Sequence, residues 1–170
     1  AGPWMLNITG YTPLQSATGL FWINITMLIS YFIWGYILPK ISDYGISSIK
    51  LIKLGLPISY FSLFLIIYFG NNAGAFLFTI YIMTSIVISL TQPAIALNFS
   101  KNLAGKSLTS FNVFLFSGTF FVQWGIGLVI DLCNNKGFDI LSSYRISFSL
   151  FLILCVLSYI FFIYLNRNEN

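Results

Sequence analysis

The sequence predicts an all-α, polytopic bundle of transmembrane helices, and three observations carry that expectation. Only 7% of the 170 residues are charged while 58% are hydrophobic, against about 25% charged in an ordinary soluble domain. The charges leave long gaps: none falls within 1–39, 54–100, 107–130 or 146–166. Each gap reaches or exceeds the roughly 20 residues a helix needs to cross a hydrocarbon core about 30 Å thick. Between the apolar runs stand short segments rich in Gly, Pro, Asn and Ser, which end helices. The whole chain therefore reads as a single transmembrane domain, 1–170.

Taken in order, residues 1–10 (AGPWMLNITG) read as the last turns of a helix, with Trp4 suited to interface depth. With no initiator Met, the chain is expected to start inside a longer protein. Pro13 lies in a short connection, and Ser16 is the expected N-cap of the first complete span, 17–38, which Pro39 stops. A loop with Lys40, Asp43 and Gly45 leads to the second span, 49–69, with Gly55 and Pro57 in its first turns. Gly70, Asn71, Asn72 and Gly74 make an uncharged turn into the third, 75–97, which Pro93 should kink near its end. The fourth span is 104–131. A polar stretch containing Lys136 and Asp139 precedes the fifth, 145–165, and the tail NRNEN follows. The count is five complete spans and the end of a sixth.

The charges report topology. One set of alternate ends carries Lys40, Lys50, Lys53, Lys101, Lys106 and Arg167; the opposite set carries only Lys136 and Arg145, with Asp131 and Asp139. The excess of basic residues places the first set, and with it the C-terminus, in the cytoplasm. The basic residues are dispersed rather than clustered, which argues against a nucleic-acid partner. Histidine is absent, Cys133 and Cys155 form no motif, and no carboxylate lies deep in a span. No metal site, no cofactor and no enzymatic constellation is therefore expected. Asn-x-Ser/Thr triplets begin at Asn7, Asn24 and Asn98; the latter two, one intramembrane and one cytoplasmic, are chance matches on this topology.

The amides are the informative residues. In the fourth span Asn112, Thr119, Gln123 and Gly127 are spaced seven, four and four apart, within about 80° of arc on one helix face. The rest of that helix is Phe, Leu, Val and Ile. An unpaired polar group in hydrocarbon costs several kcal/mol, so this face must meet protein or water. Asn24 lies in the first complete span and Gln92 in the third, where Tyr81, Thr84 and Ser85 share its side. The bland alternative for each amide is an interhelical bond of about 0.6 kcal/mol that only joins helices. The second and fifth spans have no deep amide and are expected at the lipid. Gly118, Gly125 and Gly127 are expected to let helices approach closely, and Asp131, at a helix C-terminus, to be paired with Lys136 or Arg145 or solvated.

The segment LAGKSLTSFNVFLFSGTFFVQWGIGLVID, with AGPW at the start and a short motif at Gly35, resembles the C-terminal six-helix half of a bacterial major facilitator superfamily transporter. The superfamily's Gly-x-x-x-Asp-Arg/Lys-x-Gly loop motif falls on Gly35 to Ser42; Gly35 and Lys40 fit it, while Pro39 and Ser42 depart from it. The resemblance implies a multi-pass protein of the inner membrane and a missing N-terminal six-helix half. It also implies a small-molecule solute bound between the halves and moved by alternating access. The substrate-cavity candidates are then Asn24, Tyr81, Thr84, Gln92, Asn112, Thr119 and Gln123, with the lipid bilayer as the other partner. The alternative function is a non-transporting membrane scaffold or anchor subunit.

Overall fold

The computed structural model describes residues 1–167, with the side chain of Lys101 left aside. The expected tail NRNEN thus lies partly outside the described residues. The described chain is helical, and it contains five helices long and apolar enough to cross a membrane. It has the architecture of a multi-pass membrane protein. The helices are α1 (Gly2–Asn7), α2 (Pro13–Asp43), α3 (Ser48–Phe69), α4 (Ala75–Ser85), α5 (Thr91–Asn98), α6 (Lys101–Asn135) and α7 (Ile140–Leu165). Two 3₁₀ segments, Gly70–Asn72 and Ile86–Leu90, complete the path.

The ends follow local chemistry, and several differ from the expected ones. α2 starts four residues before 17, because Thr12 and Gln15 form a capping box around Pro13 at the first helical position; Ser16 is buried instead of capping. Nor does Pro39 stop this helix, which continues to Asp43. Proline removes one backbone donor and crowds the carbonyl four residues back, here that of Gly35. Beyond it Gly45, at φ 76°, makes the turn. Ser47 and Asp139 cap α3 and α7 through their side chains. The polar stretch before α7 shrinks to a tight turn at Gly137, φ 84°.

The third span is interrupted at its centre. α-Helix ends at Ser85, 3₁₀ winding runs from Ile86 to Leu90, and α5 resumes at Thr91 with Pro93 two residues on. Pro93 cannot donate to the Ser89 carbonyl, which lies inside this 3₁₀ stretch; the disturbance itself begins seven residues ahead of the proline, at mid-span and not near the end.

α3 is the centre of the packing. In its most apolar window 33% of residues are buried, against 6% in those of α6 and α7. It contacts α4, the 3₁₀ segment, α5 and α7. Its inner side presents Ile52, Leu56, Ser59, Ser62, Leu63 and Ile66, all buried, and its outer ridge presents Leu54, Ile58, Phe61, Phe64 and Tyr68, all exposed. The expectation that the second span lies simply at the lipid is corrected: one face does, while the other holds the bundle together. Serines serve there because small side chains allow close packing and return their hydroxyls to their own helix, Ser59 to Leu56 O and Ser62 to Ile58 O.

Two apolar clusters flank that inner face. One gathers Trp4, Met5, Ile23, Ile66, Phe78 and Tyr144. Trp4 is fully buried there among helices, with Phe148 at 4.9 Å between centroids and Tyr144 edge-on at 5.8 Å. The other holds Ile52, Leu56, Val87 and Leu90. Close helix approach occurs at Gly19 and Gly55; at Gly118, Gly125 and Gly127 an added Cβ would meet nothing within 4 Å, so those three bring no helices of this chain together.

Candidate functional site

The polar face of α6 is uncovered by the chain's own helices. α6 packs on α5 and α7. Beside α7 it lines a groove of about 470 Å³ with Val122, Gly125, Ile126 and Val129 opposite Leu150 and Phe151, and Ser147 Oγ donates to Ile126 O at 3.0 Å. Val122 and Val129 lie about 100–120° round the helix from Gln123. The amides therefore point away from the packed side, and Asn112, Thr119 and Gln123 are all exposed. All three lie within about 10 Å of the helix midpoint along its axis, a position that a helix crossing a hydrocarbon core about 30 Å thick holds inside it.

Hydrogen bonding separates the polar residues into two kinds. The hydroxyls close on their own helices: Thr119 donates to Leu115 O at 2.8 Å, and Thr84 to Ile80 O at 2.9 Å and Tyr81 O at 3.0 Å. Asn24 does the same with its amide, Nδ2 donating to Leu20 O at 2.7 Å. For Asn112 and Gln123, among the described residues, no such partner exists. A helix can absorb one hydroxyl proton per threonine, but the terminal amide of a glutamine has two donors and an acceptor to place. Polar partners from outside the chain are what this face lacks.

The remaining candidates divide likewise. Thr84 Oγ1 lies 3.5 Å from Ser62 Oγ across the α3–α4 contact, and Tyr81 packs half-buried on the Trp4 cluster. These two join helices. Gln92 is exposed in the first turn beyond the 3₁₀ break, and Asn24 is exposed on α2. α5 lies against α6, so Gln92 and the α6 amides stand on adjoining helices.

The Gly35 to Ser42 motif is not a loop, because all eight residues are inside α2. Gly35 is exposed with open space around it. Lys40 folds back so that Nζ donates to the Tyr36 hydroxyl at 2.6 Å and stands 3.9 Å from the ring centroid.

At the opposite end of the bundle Asp131 is exposed, which fits solvation. Arg145 is directed elsewhere, with Nε donating to Ile67 O and Nη2 to Tyr68 O, both at 2.9 Å. It thereby occupies the carbonyls that the C-terminus of α3 leaves open. Asp139 caps α7, and the Ser142 hydroxyl and amide beside it hold its carboxyl below the usual aspartate value. Cys133 and Cys155 are free thiols. Among the described residues no group of three His, Cys, Asp or Glu side chains could hold a metal ion.

No protein-family model, curated protein or solved structure matches the chain.

Proposed function

We propose that this chain is the C-terminal half of a secondary transporter of the major facilitator kind, which moves a small solute across a bacterial inner membrane by alternating access. Its C-terminus is on the cytoplasmic side, where most of the lysines lie. The observation that carries the reading is the uncovered face of Asn112, Thr119 and Gln123 on α6. Two amides without partners at hydrocarbon depth would cost several kcal/mol each against lipid, so that face belongs to a water-filled cavity or to a second half across it. The mid-span break at Ile86–Leu90 supports the same reading, because interrupted helices at the midplane are where transporters of several folds build their sites. The cavity wall offers hydrogen bonds and no charge, which suits a neutral or amphipathic portion of a solute. With no histidine in the chain and no carboxylate at mid-depth, the titrating group of a proton-coupled mechanism would belong to the other half.

Thiol accessibility tests this without knowledge of the solute. With Cys133 and Cys155 replaced by Ser in the full-length protein, N112C, T119C and Q123C should react with a membrane-impermeant maleimide in intact membranes. F114C, on another exposed face of α6, should not. Equal protection at all four positions would refute the cavity and favour a scaffold whose polar face is covered by a partner.

A further inference from the structure

A second uncovered feature of the bundle has its own chemistry. Between α2, α3 and α4 runs a groove of about 350 Å³, lined by Trp34, Leu51, Leu54, Gly55, Ile58 and Val87 among others. Gly55 sets its floor: with no side chain there, Val87 of the 3₁₀ segment comes down onto α3 and the walls on either side stand open. The groove follows α3 from Leu51, in the first turn, to Ile58, about 10 Å further along. Thr84 supplies its one hydroxyl, which is already bonded to its own helix. At hydrocarbon depth such a lining has no use for a polar ligand.

Its open end is different. Lys50 is exposed, beside Leu51 and one turn from Leu54. Lys40 is exposed on α2 six residues beyond Trp34, about 9 Å along that helix, with its ammonium lying on Tyr36. Lys53 stands on the same turn of α3 and reaches Asn166 O at 2.5 Å. The acidic residue nearest in sequence is Asp43, itself exposed. An apolar channel ending under a group of ammonium ions at the membrane surface is complementary to one molecule class: an acyl chain attached to an anionic headgroup. We propose that this groove holds one chain of an anionic phospholipid, whose phosphate is bound by Lys50 and draws the Lys40 ammonium off Tyr36. Because Val87 lies in the wall, the chain packs directly against the mid-span break and props it from the lipid side.

The test uses phospholipids that carry a photoactivatable diazirine in mid-chain, in vesicles containing the full-length protein, with adducts mapped to peptides. Each surface lysine contributes on the order of fivefold to attraction of an anionic lipid. Phosphatidylglycerol should therefore label the 51–58 segment about tenfold or more above phosphatidylcholine with the same chain. K40Q/K50Q, which changes exposed side chains and gives up only the Lys40–Tyr36 contact within α2, should reduce phosphatidylglycerol to the phosphatidylcholine level. L54W, which fills the groove, should reduce both. Equal labelling by the two lipids in the unmodified protein would overturn the proposal. So would a preference that survives K40Q/K50Q, or labelling indifferent to L54W.

Discussion

The hydroxyl of Tyr159 on α7 donates to the backbone carbonyl of Lys53 on α3 at 2.7 Å. That carbonyl is the one Pro57, four residues on, cannot serve, because proline has no N–H. A helix with proline in its interior is tolerated in a membrane when a neighbour re-satisfies the freed group, and here the neighbour is a tyrosine 106 residues away in sequence.

Y159F should therefore cost about 1–2 kcal/mol, the penalty of one half-buried carbonyl left unsatisfied. In a P57A background the same change should be nearly neutral, since the restored alanine N–H serves Lys53. Thermal unfolding of the four proteins in detergent forms a double-mutant cycle. Equal losses from Y159F in both backgrounds would show that the tyrosine acts through packing alone.

Arg145 does for the far end of α3 what Tyr159 does for the near end. Gly70 turns the chain there at φ 55°, and a Cβ on it would stand 2.6 Å from Arg145 Nη2. G70A should thus be strained by its backbone and should also displace the guanidinium from Ile67 O and Tyr68 O. R145Q should cost roughly 1.5–3 kcal/mol, the worth of hydrogen bonds from a charged donor. The double variant should lose clearly less than the sum of the singles, because each removes the same cap.

At Gly55 two effects oppose each other. Alanine in a helix interior gains about 1 kcal/mol over glycine in propensity. An added Cβ, however, would lie 2.9 Å from both methyls of Val87, and such overpacking costs about 1–3 kcal/mol. Those methyls sit on a β-branched carbon that cannot swing away, so the cost prevails. G55A should lower the melting temperature, and V87A in the same chain should recover most of the loss. Stabilisation by G55A alone would mean that the 3₁₀ segment shifts freely.

The spans were legible because charge gaps and turn residues report hydrocarbon crossing directly, and Ser48–Phe69 falls within a residue of the reading at 49–69. Helix ends were less so. The Thr12, Pro13 and Gln15 pattern does signal an N-terminus, yet Pro13 alone reads as a connection. Burial was the least legible: α3 has no deep amide, which suggests a lipid-facing helix, but its serines pack inward and its bonds to α7 involve backbone carbonyls that composition cannot show. The α6 face was visible by spacing alone; that Asn24 is partly self-satisfied while Asn112 and Gln123 are not depends on side-chain rotamers that spacing does not fix.

That last distinction bears on transport. N112L and Q123L each replace an amide with one of the residues most favourable for insertion at a helix centre, and neither removes a hydrogen bond made within this chain. Both variants should insert at least as well as the parent and unfold at the same temperature or slightly above. If the face lines a solute cavity, either change should nevertheless reduce uptake or efflux by about tenfold or more, since a group that binds solute or cavity water is lost. N24L should have a smaller effect, because its amide already spends one donor on Leu20 O. Transport assayed beside membrane abundance separates the cases. Full activity in both α6 variants at normal abundance would leave those amides without a part in passage.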